Sequence, residues 1–328
     1  MGLLLLTKSI FAIIIGFLAS ALFGLFFVPL MRKLKVKQNI SIYMQSKHKD
    51  KANTPTFGGL IFIIPTLVIT FTLIALNKLT LSPSLGIILL CFVSYAFIGF
   101  LDDYLSIKRH DNTGLTAYQK FMMQMLVALV FFYIYINNGG TTSLDISLFH
   151  ISLEMEWLYG LFVLFVLVGS SNAVNLTDGL DGLVGGLSVI AFLGFSLISL
   201  VAGFEEITIF TFILSGAIGG FLMFNTYPAK IFMGDVGSLS LGAVMGAVAI
   251  ITHREVTLAL VALIFVVETL SVILQIIWLY LFKRKLFLMT PLHHHFEKLG
   301  YHETDIVKAF WTIGMVLVML GIYYAVWL

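Results

Sequence analysis

Five aspartates sit in settings that suggest chemistry. Asp102 and Asp103 are adjacent. Asp178 and Asp181 stand three apart in Asn175-Leu176-Thr177-Asp178-Gly179-Leu180-Asp181-Gly182, and Asp235 lies in Phe232-Met233-Gly234-Asp235-Val236-Gly237-Ser238. Carboxylates are hard oxygen ligands, and Mg²⁺ is commonly held by one or two of them together with waters and substrate phosphates. Adjacent carboxylates also repel, which raises one pKa unless a cation relieves them. The flanking glycines let backbone approach a ligand closely. Amides in such turns, or at the N-terminus of a helix starting near Ser238, can bind phosphate oxygens. With lysines nearby, the set reads as metal-assisted chemistry on a phosphorylated substrate. Each motif also has a plainer reading: a water boundary for the acid pair, turn and cap chemistry for Asp178 and Asp181, a tight turn around Asp235.

Three consecutive histidines stand in Pro291-Leu292-His293-His294-His295-Phe296-Glu297. They invite a zinc reading, but neighbouring side chains on a helix diverge by about 100°, so hydrogen bonding to phosphate or sugar is preferred. A further string, Lys51-Ala52-Asn53-Thr54-Pro55-Thr56-Phe57-Gly58-Gly59, ends a basic stretch, and Asn225 precedes the Asp235 turn. Glu268 falls in the middle of an apolar run. Intramembrane acids are expensive and often functional, yet this one has no partner in sequence, so a helix-packing hydrogen bond is preferred over a proton relay.

The elements that must position these groups follow from composition. Of the 328 residues 59% are apolar and 11% charged, with a mean hydropathy of +1.03, against roughly half apolar and a quarter charged in a soluble domain. A water-soluble fold of this size could not hide that apolar surface. The net charge of +2 gives no bulk field pointing to nucleic acid, and the single cysteine, Cys91, excludes an internal disulfide framework and a CxxC zinc site. Runs long enough to cross a bilayer, at roughly 20 residues each, occur at about 7–31, 57–76, 84–101, 121–137, 157–174, 183–202, 207–224, 238–252, 257–282 and 306–327. They lack the alternation of a membrane barrel. The expected fold is all-α: a polytopic membrane protein of ten transmembrane helices forming one domain.

Alternating the segments between these spans puts sixteen of the nineteen lysines and arginines on one side, leaving Lys8, Lys78 and Arg254 on the other. That bias makes the richer side cytoplasmic and both termini extracytoplasmic. Ala19-Ser20-Ala21 resembles a signal cleavage site, but the apolar run continues through Val28 and the basic cluster follows it, so a retained first helix is expected. The outside acids Asp145, Glu154, Glu156, Glu205, Glu206 and Glu255 read as solvated loop residues. All five polar clusters fall on the cytoplasmic face, in loops of about 32–56, 102–120, 175–182, 225–237 and 283–305. Sharing a side, they read as one site assembled from loops.

In this order the strings closely resemble the phospho-N-acetylmuramoyl-pentapeptide-transferase (MraY) family of the polyprenyl-phosphate N-acetylhexosamine-1-phosphate transferases, along essentially the whole chain. The aspartate motifs are shared across the superfamily, and the histidine string resembles the muramoyl branch. The resemblance implies transfer of phospho-MurNAc-pentapeptide from UDP-MurNAc-pentapeptide to undecaprenyl phosphate in the bacterial plasma membrane. The products are lipid I and UMP, Mg²⁺ is required, the site faces the cytoplasm, and the protein is a homodimer. It implies Asp235 as the Mg²⁺ ligand, with Asp102 and Asp103 near the attacking lipid phosphate. Asn175, Asp178, Asp181, Asn225 and Phe232 fall on the nucleotide side, Phe232 stacking on uracil. Lys51 and Thr56 line the cleft, and His293, His294 and His295 contact diphosphate or amino sugar. One departure is visible: the family pattern has a lysine three residues after Asp103, where this chain has Ser106, leaving Lys108 and Lys120 to supply that charge.

Two mechanisms suit this reading. In direct attack Asp102 orients or deprotonates the lipid phosphate; in double displacement an aspartate is a covalent nucleophile. A phosphate monoester has its second pKa near 6 and is mostly ionised at neutral pH, which favours direct attack with electrostatic positioning. The rivals are a sister enzyme transferring GlcNAc-1-phosphate from UDP-GlcNAc to the same lipid, and a secondary transporter. Transporters bind substrate near the midplane, whereas these acids and histidines gather at one interface.

Overall fold

The computed structural model describes residues 2–34, 54–109 and 114–327. Among them eight helices are long and apolar enough to cross a membrane. These are α1 (Gly2–Lys33), α3 (Pro83–Arg109), α4 (Ala117–Asn137), α5 (Trp157–Thr177), α6 (Leu183–Val201), α7 (Glu205–Asn225), α10 (Leu263–Phe282) and α12 (Glu303–Trp327). Two further apolar helices, α2 (Leu60–Ala75) and α8 (Asp235–Ile251), have 16 and 17 residues. At about 1.5 Å per residue they fall short of a hydrocarbon core of about 30 Å. Backbone that stops short within that depth is tolerated where protein surrounds it, and every residue of α8 from Val236 to Ile251 is buried.

Three expectations are corrected. The ninth run is two helices: α9 (Glu255–Val261) ends at Ala262 and α10 starts at Leu263. No proline or glycine marks the break; it falls where α9, packed on α12, gives way to α10, which packs on α5. The chain is not purely helical, since β1 (Ser143–Ile146) and β2 (Ile151–Glu154) pair antiparallel, Ser143 opposite Glu154. Four-residue strands are too short to leave a periodic signal against the apolar background. Nor are the outside acids all solvated. Glu255 is buried and accepts a hydrogen bond from the Tyr159 hydroxyl at 2.5 Å, tying α9 to α5, and burial pushes its carboxyl up. Glu205 pairs with Lys8 at 2.7 Å on the surface.

Close packing uses small residues, because lipid tails offer helices no hydrophobic reason to associate. A Cβ on Gly216 of α7 would meet the Ile13 carbonyl oxygen at 2.2 Å, and one on Gly16 of α1 the Ile213 carbonyl at 2.3 Å. With the Ser20 hydroxyl donating to the Ile61 carbonyl at 3.0 Å, α1 is part of the bundle. Against α5, Gly242 of α8 lies so close that Ser170 Oγ donates to its carbonyl at 2.7 Å, and Ser171 Oγ donates to the Leu239 carbonyl at 3.0 Å. Large apolar side chains such as Phe11, Phe26, Phe165, Ile276 and Tyr280 are exposed around the outside, as a lipid-facing surface requires. Buried at the centre, α8 aims its N-terminus at one end of the bundle, and the polar strings meet there.

Candidate active site

The site is built on the first turn of α8. Two strings far apart in sequence are zipped together by backbone bonds: Phe232 N–H to the Pro55 carbonyl, Gly58 N–H to that of Phe232, and Gly59 N–H to that of Met233, each 2.8 Å. The next residue, Gly234, has φ +75°, and a Cβ on it would lie 2.5 Å from Asp103 Oδ2 and 2.7 Å from Thr56 Oγ1. Glycine is needed there for conformation and for space. Thr56 is buried, and among the described residues its hydroxyl has no hydrogen-bond partner. From the other side α3 approaches so closely that a Cβ on Gly99 would stand 2.1 Å from the Asp235 carbonyl oxygen.

The pair Asp102-Asp103 does not open a loop. It lies inside α3, which runs on to Arg109 with Lys108 and Arg109 in its last turn, cations that suit a helix C-terminus. Hydropathy marked where the apolar stretch ended, not where the helix did. Successive positions on that helix split the pair. Asp103 is buried and accepts the Val236 amide at 3.2 Å and the Asp235 amide, so it caps α8. Asp102 turns toward α4, where Oδ1 accepts the Leu115 amide at 2.9 Å.

The ammonium that reaches Asp102 and Asp235 is that of Lys120. A capping box of Thr116 and Gln119 starts α4, and Lys120 one residue later extends Nζ to 2.6 Å from Asp235 Oδ2 and 3.2 Å from Asp102 Oδ1. The other Asp235 oxygen accepts from Asn175 Nδ2 at 2.8 Å, and that amide also donates to Ser238 Oγ at 2.9 Å. Asn175 lies in the last turn of α5, which ends at Thr177. Asp178 follows directly; burial, then the charges of Asp235 and Asp181, push its carboxyl up to about 7. A cleft of roughly 500 Å³ lined by Leu115, Lys120, Phe121, Gln124 and Asn172 opens beside Lys120.

The second half of the Asp178–Asp181 turn is held from three elements. Asp181 N–H donates to Glu303 of α12 at 2.6 Å, the Asp181 carboxylate accepts the Ala229 amide at 2.9 Å, and Gly182 N–H donates to Asn225 Oδ1 at 3.1 Å. Asn225 also donates to the Ile231 carbonyl at 3.0 Å. Buried and bound at both ends, it fixes the turn from within. Phe232 is half-buried at the rim.

The histidines are not in a loop: α11 (Leu292–Leu299) carries them, and their ring nitrogens go to three partners. His294 Nδ1 is 2.6 Å from Glu297 Oε2, and His295 Nδ1 accepts the Leu288 amide at 3.1 Å. His293 is fully buried with Nδ1 3.3 Å from Glu268 Oε2. Glu268 therefore has a partner, which sequence could not reveal because 25 residues separate the two. Lys51 lies outside the described residues. The structure thus brings Thr56, Asp102, Asp103, Asn175, Asp178, Phe232 and Asp235 around the start of α8, while Asp181, Asn225 and His293 buttress a neighbouring turn. Lys120 and Glu303 are the groups that motif reading undervalued, each lying in its helix outside the quoted strings.

Among the described residues no three carboxylate, imidazole or thiol side chains gather as a ready-made metal cage. The donors beside Asp235 are oxygens, with an ammonium between two carboxylates, and this fits a hard cation that draws its other ligands from phosphate and water. Fold and site define a multi-pass membrane protein with a carboxylate-lined, phosphate-suited mouth.

The model of glycosyl transferase family 4 matches residues 85–253, from α3 past the end of α8 and so across every aspartate named above. A phospho-N-acetylmuramoyl-pentapeptide-transferase of Bacillus licheniformis is 44% identical over 321 residues, covering 97% of this chain and 98% of the relative. Proteins of the same name from Bacillus pumilus and Bacillus subtilis are 43% and 42% identical over 320 residues, with the same coverage. The chain belongs to glycosyl transferase family 4, among its phospho-N-acetylmuramoyl-pentapeptide-transferases.

Proposed function

We propose that this protein is a phosphoglycosyl transferase that moves phospho-MurNAc-pentapeptide from UDP-MurNAc-pentapeptide to undecaprenyl phosphate, giving lipid I and UMP. The observation that carries the reading is the Asp102–Lys120–Asp235–Asn175 cluster at the N-terminus of α8. It offers charge of both signs and backbone amides where two phosphorylated substrates must meet. The names of the relatives favour the muramoyl donor over UDP-GlcNAc.

Topology supports the same reading. With α2 and α8 added to the eight long helices there are ten apolar helices of ten or more residues among the described residues, and the lysine and arginine bias supports a mouth on the cytoplasmic side of a bacterial plasma membrane with both termini outside. A soluble nucleotide donor and a lipid whose phosphate lies at the inner leaflet can share only such a mouth. Next to α11, an apolar cavity of about 560 Å³ between α10 and α12, lined by Ile264, Val267, Phe296, Phe310 and Ile313, suits hydrocarbon. The whole described chain then works as one domain.

In this mechanism Asp235 would hold Mg²⁺, with the Asp102 carboxylate across Lys120 from it. A cation held there would supply charge neutralisation to the diphosphate and the departing UMP. Lys120 holds Asp102 and Asp235 in place and offers positive charge to the lipid phosphate. A phosphate oxygen of the lipid attacks the sugar-bearing phosphorus, a new P–O bond forms, the bond to UMP breaks, and UMP leaves with the electron pair. Asp102, bound by Lys120 and the Leu115 amide, orients the attacking group, which supports direct attack over a covalent aspartyl intermediate. Asp103 positions Asp235 through its cap of α8, and the Asp178–Asp181 turn with Phe232 receives the nucleotide.

The test is incubation of the purified protein in lipid with UDP-MurNAc-pentapeptide, undecaprenyl phosphate and Mg²⁺, following UMP. Release that needs the lipid and Mg²⁺, and that falls at least a thousandfold in Asp235→Asn, is expected. Equal or faster turnover of UDP-GlcNAc, or solute uptake by proteoliposomes without glycolipid product, would overturn the assignment.

A further inference from the structure

Glu268 of α10 and His293 of α11 are both 0% exposed. One carboxylate oxygen, Oε1, accepts the backbone N–H of His293 at 3.1 Å. The other, Oε2, lies 3.3 Å from Nδ1 at ion-pair distance but without hydrogen-bond alignment, and Oε2, Nδ1 and Nε2 have no hydrogen-bond partner among the described residues. Buried polar groups without a hydrogen bond are costly, so Oε2 and Nδ1 have only each other's electrostatic contact to offset their burial. A carboxylate that lies against Nδ1 and also accepts the backbone N–H of the same residue restricts where that ring can sit.

The far edge of that ring rests on the nucleotide-side turn. A Cβ added to Gly179 would lie 2.2 Å from His293 Nε2. Gly179 is absent from the glycines with positive φ, so contact with the ring, not backbone conformation, requires glycine here. Glu303, Asn225 and Ala229 hold the Asp181 end of the turn. At the Gly179 end the support from another part of the chain is the imidazole. Sealed from solvent, His293 meets the turn and not the open cleft.

We infer that Glu268 and His293 are a positioning pair: the carboxylate sets the ring, and the ring props the Asp178–Gly179 half of the turn that receives the nucleotide. The inference rests on the transferase reading above and deepens it. It assigns a task to a deep acid that needs no proton relay, and it places the effect of His293 on donor binding rather than on the lipid phosphate.

Glu268→Gln tests this with almost no change of shape. The amide keeps an oxygen for the His293 backbone N–H but removes the carboxylate charge 3.3 Å from Nδ1. In the full-length protein in lipid, KM for the UDP-linked donor is expected to rise ten- to a hundredfold. KM for undecaprenyl phosphate and kcat should stay within about threefold, and Tm within about 2 °C, whereas a merely structural lesion would lower kcat and Tm together. In a His293→Asn background Glu268→Gln should add less than about twofold, since it acts through the ring. Gly179→Ala, which displaces the ring from the opposite side, should reproduce the donor-specific rise and carries the test if Glu268→Gln does not accumulate. A donor KM within twofold of wild type in the tested variant, or equal changes in both KM values, overturns the inference. Absence of UMP release by the wild type overturns the transferase reading itself.

Discussion

Replacing Lys120 by methionine keeps most of the side-chain volume and removes one charge from between two carboxylates. The ammonium is 2.6 Å from Asp235 and 3.2 Å from Asp102, so those carboxylates lie within about 6 Å of each other through it. Two like charges at that separation repel by about 3 kcal/mol at an effective dielectric of 20, a repulsion that the ammonium offsets in wild type and that methionine leaves uncompensated. All three side chains are under one-fifth exposed, so screening trims this figure but does not reduce it to the near-zero value of an open surface pair. Allowing for that screening, the loss is about 2 kcal/mol. That corresponds to a fall of roughly thirtyfold in turnover and a few degrees in Tm. A cation should replace the lost ammonium, so added Mg²⁺ should raise Tm more in Lys120→Met than in wild type. The assays are UMP release at saturating substrates and thermal unfolding with and without Mg²⁺. Turnover within threefold of wild type, together with an unchanged Tm, would show that the bridge is a bystander and refute the electrostatic account of the site.

Two further outcomes follow from the same geometry. The Asp178 carboxyl, pushed up to about 7, keeps its proton in the folded protein over a range, about pH 4 to 7, in which the unfolded chain has lost it. The folded state therefore loses stability as pH rises through that window, and the penalty is complete above 7. Asp178→Asn should gain thermal stability over wild type increasingly from pH 5 to pH 8; a gain independent of pH would contradict the assignment. Gly99→Ala would drive a methyl into the Asp235 carbonyl oxygen, 2.1 Å from the ideal Cβ position. Overpacking of this kind costs about 1–3 kcal/mol, and the displaced α8 should cut UMP release at least tenfold; wild-type Tm and turnover would refute the close α3–α8 contact.

Much of this protein is legible in its sequence because lipid is an undemanding solvent to read. Apolar runs set by bilayer thickness gave the helices, and the one-sided distribution of lysine and arginine gave an orientation to test. Aspartates flanked by glycine pointed to where the polar strings meet, at the start of α8. Even the short, glycine-rich run from 238 is a real helix, α8.

Tertiary structure decided which of two adjacent aspartates does what. Asp103 caps α8 while Asp102 meets Lys120, because a helix sends consecutive side chains about 100° apart and sequence does not say what stands on each side. It also decided that Lys120 bridges the carboxylates, that Glu268 and His293 are partners, and that Gly179 makes room for an imidazole. These are contacts between elements distant along the chain. Hydropathy and motif spacing describe each element by itself, but which faces meet is settled when ten apolar helices of similar composition pack against one another, and small residues such as Gly16, Gly99 and Gly242 determine how near they come.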